Sequence, residues 1–158
     1  MKKKFFWNFF FILTIFLLDR VSKISIINLL ENSDNGHIQV TNFLSFNLIW
    51  NEGIAFGLFS FDQKLYYNFL TIIIILVTTI ILWMIIKTKG LEKVAFLMIF
   101  GGSLGNIFDR LVYSSVPDFI DLHYNNFNWF IFNVADIFIS IGIILLIYLE
   151  FFKKKINE

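Results

Sequence analysis

Residues 132–152 read FNVADIFISIGIILLIYLEFF, 21 residues that are almost wholly apolar and long enough to cross a bilayer. Yet Asn133 and Asp136 sit one turn apart near the start of this segment. A carboxylate carried into hydrocarbon costs about 2.5 kcal/mol or more. A residue that expensive asks for a reason, and the rest of the chain supplies the context.

Of 158 residues, 58% are hydrophobic and 22 are Phe, above the roughly 45–50% apolar content of a soluble domain. The excess falls in long blocks, so the solvent is lipid. At about 20 residues per crossing, four or five crossings is the ceiling. The net charge of +1 gives no sign of a nucleic-acid partner. The absence of Cys excludes disulfides, thiolate metal sites and a Cys nucleophile. MKKKFFWNFFFILTIFLLDR at the N-terminus has the basic and apolar regions of a signal peptide, but DRVSK follows it in place of a small-residue cleavage site. It reads as a retained first helix.

Four membrane helices are expected, at about 5–30, 66–86, 94–111 and 132–152, because lipid offers backbone groups no hydrogen-bond partner. Lys2, Lys3 and Lys4 precede the first; Lys87, Lys89 and Lys93 flank the middle loop; Lys153, Lys154 and Lys155 follow the last. With four crossings all nine fall on one side, which places both termini and the middle loop in the cytoplasm. Segments 31–65 and 112–131 then face outward. ENSDNG is a turn signal, and the alternation of Leu44, Phe46, Leu48 and Trp50 with Ser45, Asn47 and Ile49 is a strand pattern. NEGIAFGLFS then interrupts it with two glycines. The fold class is therefore membrane α-helical, with four transmembrane helices and a small extracytoplasmic β-sheet, in one domain spanning 1–158.

Apart from the lysine flanks, the polar residues collect at the outer ends of these helices. Asp19, Arg20 and Lys23 end the apolar core of the first, Asn106, Asp109 and Arg110 end the third, and Asn133 and Asp136 open the fourth; Asn51, Glu52, Asp118 and Asp121 lie in the outer segments. Asn106 and Asp109 share a helix face by their spacing, and Asn133 and Asp136 repeat it. Gly101, Gly102 and Gly105 are small residues that let helices approach. Much of this has a structural explanation. Asp19 with Lys23, and Asp109 with Arg110, read as local ion pairs; Trp50, Trp129 and Tyr124 fit an interfacial aromatic belt; Glu52 reads as solvated, and His37 and His123 as loop residues with no metal role.

Asp136 and Asp118 resist that explanation. Asp136 has no basic residue on its own helix before Lys153, and Asp118 stands in VPDFIDL without a local counter-ion. Two such carboxylates, brought together, share a proton. One can activate water while the other, protonated, polarises a carbonyl and later protonates the leaving amine. Spacing alone leaves Asp109 and Asp118 both open as partners of Asp136, with Asp121 a weaker third. A proton-conducting subunit would place its carboxylate nearer the bilayer midplane, and a non-catalytic assembly subunit would not need carboxylates without partners.

DRVSK at 19–23, NEGIAF at 51–56, GGSLGNIFDR at 101–110, VPDFID at 116–121 and FNVAD at 132–136 together resemble the bacterial lipoprotein signal peptidases, also called signal peptidase II, over nearly the whole chain. The resemblance implies a membrane aspartyl endopeptidase of the bacterial cytoplasmic (inner) membrane, with its active site at the outer face. It implies cleavage of prolipoproteins on the N-terminal side of a diacylglyceryl-modified cysteine, no cofactor or metal, and a monomer in membrane lipid. It implies that Asp118 and Asp136 are the catalytic pair, which selects Asp118 over Asp109. Asp19, Lys23, Asn51, Gly53, Asn106, Asp109, Arg110, Asn133 and Ala135 are expected to support the site or bind substrate, with Asn51 and Arg110 as substrate contacts. Two departures stand out. Pro117 replaces the usual aliphatic residue before the Asp, and is expected to shift the backbone presenting Asp118. Arg20 replaces an uncharged residue, with little effect expected.

Overall fold

The computed structural model describes residues 2–31, 36–53, 63–124 and 127–157. Its elements, in chain order, are α1 (Lys2–Glu31), β1 (His37–Gln39), β2 (Leu44–Asn51), α2 (Gln63–Lys87), α3 (Gly90–Tyr113), β3 (Val116–Tyr124), β4 (Phe127–Phe132) and α4 (Val134–Asn157). The four expected helices are present, each somewhat longer than its apolar stretch at one or both ends. Among the described residues, three are long and apolar enough to cross a membrane: Tyr67–Lys87, Gly90–Tyr113 and Val134–Phe152, with mean hydropathies of 3.0, 1.3 and 2.2. The 30-residue α1, which carries Asp19, Arg20 and Lys23, is not one of the three.

The helix α3 is the centre of the bundle; half of its apolar window is buried, against 17% and 11% for those of α2 and α4. Its glycines explain how. A Cβ on Gly102 would lie 2.5 Å from the Ala135 carbonyl oxygen, and one on Gly105 would lie 2.5 Å from Asp19 Oδ2. Only residues without a side chain let α4 and α1 come this close. These contacts also set the directions. Ile15 meets Gly101 and Asp19 meets Gly105, so α1 and α3 run the same way. Gly102 meets Ala135 while Gly142 meets Ile99 and Ala95, so α4 runs opposite to α3. The Tyr67 hydroxyl donates to the Arg110 carbonyl (3.1 Å), so α2 also runs opposite to it.

The sheet is antiparallel, in the order β1-β2-β3-β4. It departs from expectation in its composition. The 112–131 segment is not a plain connection but the β3–β4 hairpin, half of the sheet. Phe132 ends β4 and does not begin the last helix, and His37 and His123 lie in strands, not loops. The expected alternation of buried apolar and exposed polar residues is not met: Ser45 is fully buried between half-buried Leu44 and Phe46, and the β2–β3 register shifts between Phe46 and Ile49. Past the shift Ile49 and Trp50 are both exposed, and Trp50 packs edge-on against Tyr113 (5.6 Å between centroids). The ENSDNG turn and the NEGIAFGLFS segment lie largely outside the described residues, as does the side chain of Trp129. The sheet is held to the end of α1 by an apolar cluster of Ile26, Leu30 and Phe119, joined by Ile38, Phe46, Leu48, Ile120 and Val134. Burial of these side chains, at about 25 cal/mol per Å² of apolar surface, fixes where β3 presents Asp118.

Candidate active site

Three elements meet at one place: α1 at Asp19–Lys23, about two turns before its end, the C-terminal part of α3 and the N-terminus of α4. The sequence dictates the start of α4 directly. Asn133 Oδ1 accepts from the Asp136 N–H (3.1 Å), and Asp136 Oδ2 accepts from the Asn133 N–H (3.1 Å). This reciprocal pair is a capping box, satisfying two of the amides that every helix N-terminus leaves open. The Ala135 N–H, another open amide, donates to Asp19 Oδ1 of α1 (3.0 Å). Asp136 therefore stands at the N-terminus of a helix, where backbone dipoles favour negative charge.

Asp118 arrives from β3. Its Oδ1 accepts from Asn133 Nδ2 (2.6 Å) and its Oδ2 from Asn51 Nδ2 (2.8 Å), while Asp136 Oδ1 accepts from Asn106 Nδ2 (2.8 Å). One asparagine, Asn133, thus touches both carboxylates. The orientation of all three amides is fixed from behind. The Asn51 oxygen accepts from the Gly53 N–H (2.7 Å), the Asn106 oxygen from Lys23 Nζ (2.9 Å), and the Asn133 oxygen from the Asp136 N–H. With each oxygen occupied, each NH2 turns toward a carboxylate. Gly53 manages this with φ of +75°, a backbone conformation that favours glycine.

Among the described residues neither Asp118 nor Asp136 has a cation within ion-pair distance. Asp118 is only 4% exposed. Burial pushes its carboxyl above its ordinary value; the Asn51 and Asn133 amides oppose this, the charge of Asp136 reinforces it, and Lys23 opposes it more weakly.

Asp109 is different. Lys23 Nζ bonds Asp109 Oδ2 (2.6 Å) and Asp19 Oδ2 (2.9 Å), and Arg20 pairs with Asp109 Oδ1 (2.6 Å) and Asp19 Oδ2 (3.1 Å). All four side chains are buried or nearly so. The expected Asp19–Lys23 pair is present. The expected Asp109–Arg110 pair is not: Asp109 is neutralised from α1, and Arg110 instead donates to the Asn106 carbonyl of its own helix (3.2 Å). Arg20, for which little effect was expected, is buried within this cluster, and its guanidinium lies 4.9 Å from the Phe108 ring centroid. Three charges in the five residues 19–23, facing one acid on α3, were the signal in the sequence. Asp121 is partly exposed and accepts from the Ser45 hydroxyl at 3.5 Å.

Pro117 is buried opposite Trp50, and its peptide bond is trans. Pairing of β3 with β4 begins only at Ile120. Pro117 therefore lies where β3 has a single neighbouring strand, a position that tolerates the missing N–H. Asp118 keeps both of its amide partners beside it, so the expected displacement of its backbone does not cost it those contacts.

The family described as signal peptidase (SPase) II matches residues 11–152. A lipoprotein signal peptidase of Pelagibacter ubique (strain HTCC1062) is 49% identical over 158 residues, covering 99% of this chain and 95% of the relative. One of Aquifex aeolicus (strain VF5) is 41% identical over 144 residues, covering 89% and 83%. Among solved structures, a bacterial membrane enzyme determined by the in meso method at 2.3 Å resolution superposes with a TM-score of 0.77 at 29% identity, covering 96% of this chain and 90% of its own. With a fold, a match and an extent of this kind, the chain belongs to the signal peptidase II family.

Proposed function

We propose that this protein is an aspartyl endopeptidase that removes signal peptides from prolipoproteins, cutting on the N-terminal side of a diacylglyceryl-modified cysteine. Family membership makes it a membrane protease of lipoprotein processing. The aspartyl mechanism rests on one observation: two carboxylates from different elements, held only by amides and backbone N–H groups, bridged by Asn133 and without a cation of their own.

In this mechanism Asp118 and Asp136 share one proton. The ionised carboxylate takes a proton from a water as its oxygen attacks the scissile carbonyl carbon. The protonated carboxyl donates to the carbonyl oxygen. As the gem-diol intermediate collapses and the C–N bond breaks, the protonated carboxyl gives its proton to the leaving amine while the other carboxylate takes one from a gem-diol hydroxyl, so the pair again holds one shared proton. Asn51, Asn106 and Asn133 hold the carboxylates at fixed angles throughout, so little reorganisation is needed. Asn51, exposed at the end of β2, and Arg110 are assigned to the substrate. The parallel course of α1 and α3 against α2 and α4 supports four crossings, with α1 as the fourth and both termini in the cytoplasm. The site then lies at the outer bilayer boundary, where the diacylglyceryl chains stay in lipid while the peptide reaches the carboxylates. The chain acts as one domain and as a monomer, without cofactor.

The test is a gel-shift cleavage assay in liposomes with a prolipoprotein, with and without the diacylglyceryl group. Cleavage of the lipidated form alone is expected. Equal cleavage of both, or of neither, would contradict the assignment.

A further inference from the structure

Arg20 is a cation that the proposed mechanism does not use. Its placement is nonetheless built: one guanidinium branch reaches Asp109 Oδ1 (2.6 Å), the other Asp19 Oδ2 (3.1 Å), and the ring of Phe108 lies 4.9 Å from its central carbon. These partners connect it to the carboxylate pair by two routes. Asp19 Oδ1 accepts from Ala135 N–H, one residue before Asp136. Lys23, which shares Asp19 and Asp109 with Arg20, spends its remaining N–H on Asn106 Oδ1, and Asn106 Nδ2 donates to Asp136.

Charge balance gives the arrangement its meaning. Four carboxylates face this layer: Asp19 from α1, Asp109 from α3, Asp118 from β3 and Asp136 from α4. Three cations face it: Arg20 and Lys23 from α1, and Arg110 from α3. Glu52, after β2, is exposed; Asp121 and His123 lie further along β3; the Tyr67 hydroxyl of α2 donates to the Arg110 carbonyl and also meets Thr71; and α4 carries no other charge before Glu150. In a low-dielectric layer, the balance closes when the pair holds one proton, the state the proposed mechanism requires. Without Arg20, the balance closes only when the pair holds two.

We propose that Arg20 is a positioning residue for the reaction: by closing a neutral cluster with Asp19, Asp109 and Lys23 it keeps the carboxylate pair in its singly protonated form and leaves Lys23 free to aim Asn106 at Asp136. This inference rests on the aspartyl reading above. Asp19 and Asp109 pass the effect inward, and Arg20 itself touches neither carboxylate of the pair.

The experiment compares wild type, Arg20→Gln and Arg20→Lys in liposomes, measuring kcat, KM and the pH–rate profile on a lipidated prolipoprotein. Arg20→Gln should move the lower limb of the profile upward by about half a pH unit or more and lower kcat several-fold at neutral pH, with KM nearly unchanged. Arg20→Lys should restore the limb, since the charge remains, but only part of kcat, since a single ammonium does not branch to both acids. A profile for Arg20→Gln that superimposes on wild type, or a loss confined to KM, would overturn the proposal. If Arg20→Gln does not fold, Arg20→Lys decides alone: kcat equal to wild type would overturn it. Failure of the aspartyl reading shows separately, as cleavage that persists in Asp118→Asn or Asp136→Asn.

Discussion

At the scale of single residues, the site is an exercise in which charges are matched. Asp109 and Asp118 are both nearly inaccessible, yet one is held by Lys23 and Arg20 and the other by two amides. Removing one partner of a buried ion pair strands the other, so Lys23→Met should destabilise the protein by about 3–5 kcal/mol, read as a fall in midpoint in detergent unfolding. Asp118 is expected to behave in the opposite sense. Its folded-state value is raised, so the folded protein holds a proton that the unfolded chain has released, and stability is lost as pH rises from the ordinary carboxylate value through the raised one. Tm of wild type minus that of Asp118→Asn, which has no carboxyl to titrate there, should therefore fall across that window. A flat difference would show that burial does not act on this group. The same pairing explains what was legible in the sequence. Asp118 and Asp136 stood out because no basic residue lies near them in the chain. Asp109 remained a rival from spacing because its cations, Arg20 and Lys23, come from a helix some 86 residues away.

At the scale of elements, two junctions position the chemistry. The first is the start of α4, where Asn133 both caps the helix and bridges the carboxylates. Loss of such a cap costs about 1 kcal/mol, so Asn133→Ala should lower stability by about that much while reducing kcat far more than this modest cost would suggest. Parallel unfolding and cleavage measurements separate the two effects. The second is the contact of α3 with α1 at Gly105, where an added methyl would meet Asp19 Oδ2 at 2.5 Å. Gly105→Ala is expected to destabilise by about 1–3 kcal/mol, because a carboxylate already fixed by three partners has little room to give. The positions of the helices could be read from the apolar stretches, and the place of β2 from its strand-like composition. The β3–β4 hairpin was not, because VPDFIDLHY carries a proline and two acids and shows no clean period of two. Its pairing with β2 is a contact between distant segments, which local pattern does not encode.

At the scale of the whole molecule, the sheet and the bundle act as one frame. Phe119, 2% exposed, joins β3 to Ile26 and Leu30 at the end of α1 and lies next to Asp118. Phe119→Ala should cost about 3–5 kcal/mol and impair cleavage through the loosened strand. In the proposed topology the charged layer faces outward and the lysine flanks face the cytoplasm. Single cysteines introduced at residues 42 and 90 into this Cys-free chain should then react with membrane-impermeant reagents from opposite faces of the membrane, residue 42 from outside. Labelling of both from the same face would contradict four crossings.

The central claim is that Asp118 and Asp136 are the reacting carboxylates and that Asp109 belongs to the frame that supports them. The direct measurement is cleavage of a diacylglyceryl-modified prolipoprotein by wild type, Asp118→Asn, Asp136→Asn and Asp109→Asn, each verified as folded. Loss of all detectable product in the first two variants, with residual turnover in the third, is the expected result. Substantial turnover in Asp118→Asn together with none in Asp109→Asn would contradict it and make Asp109 the partner of Asp136.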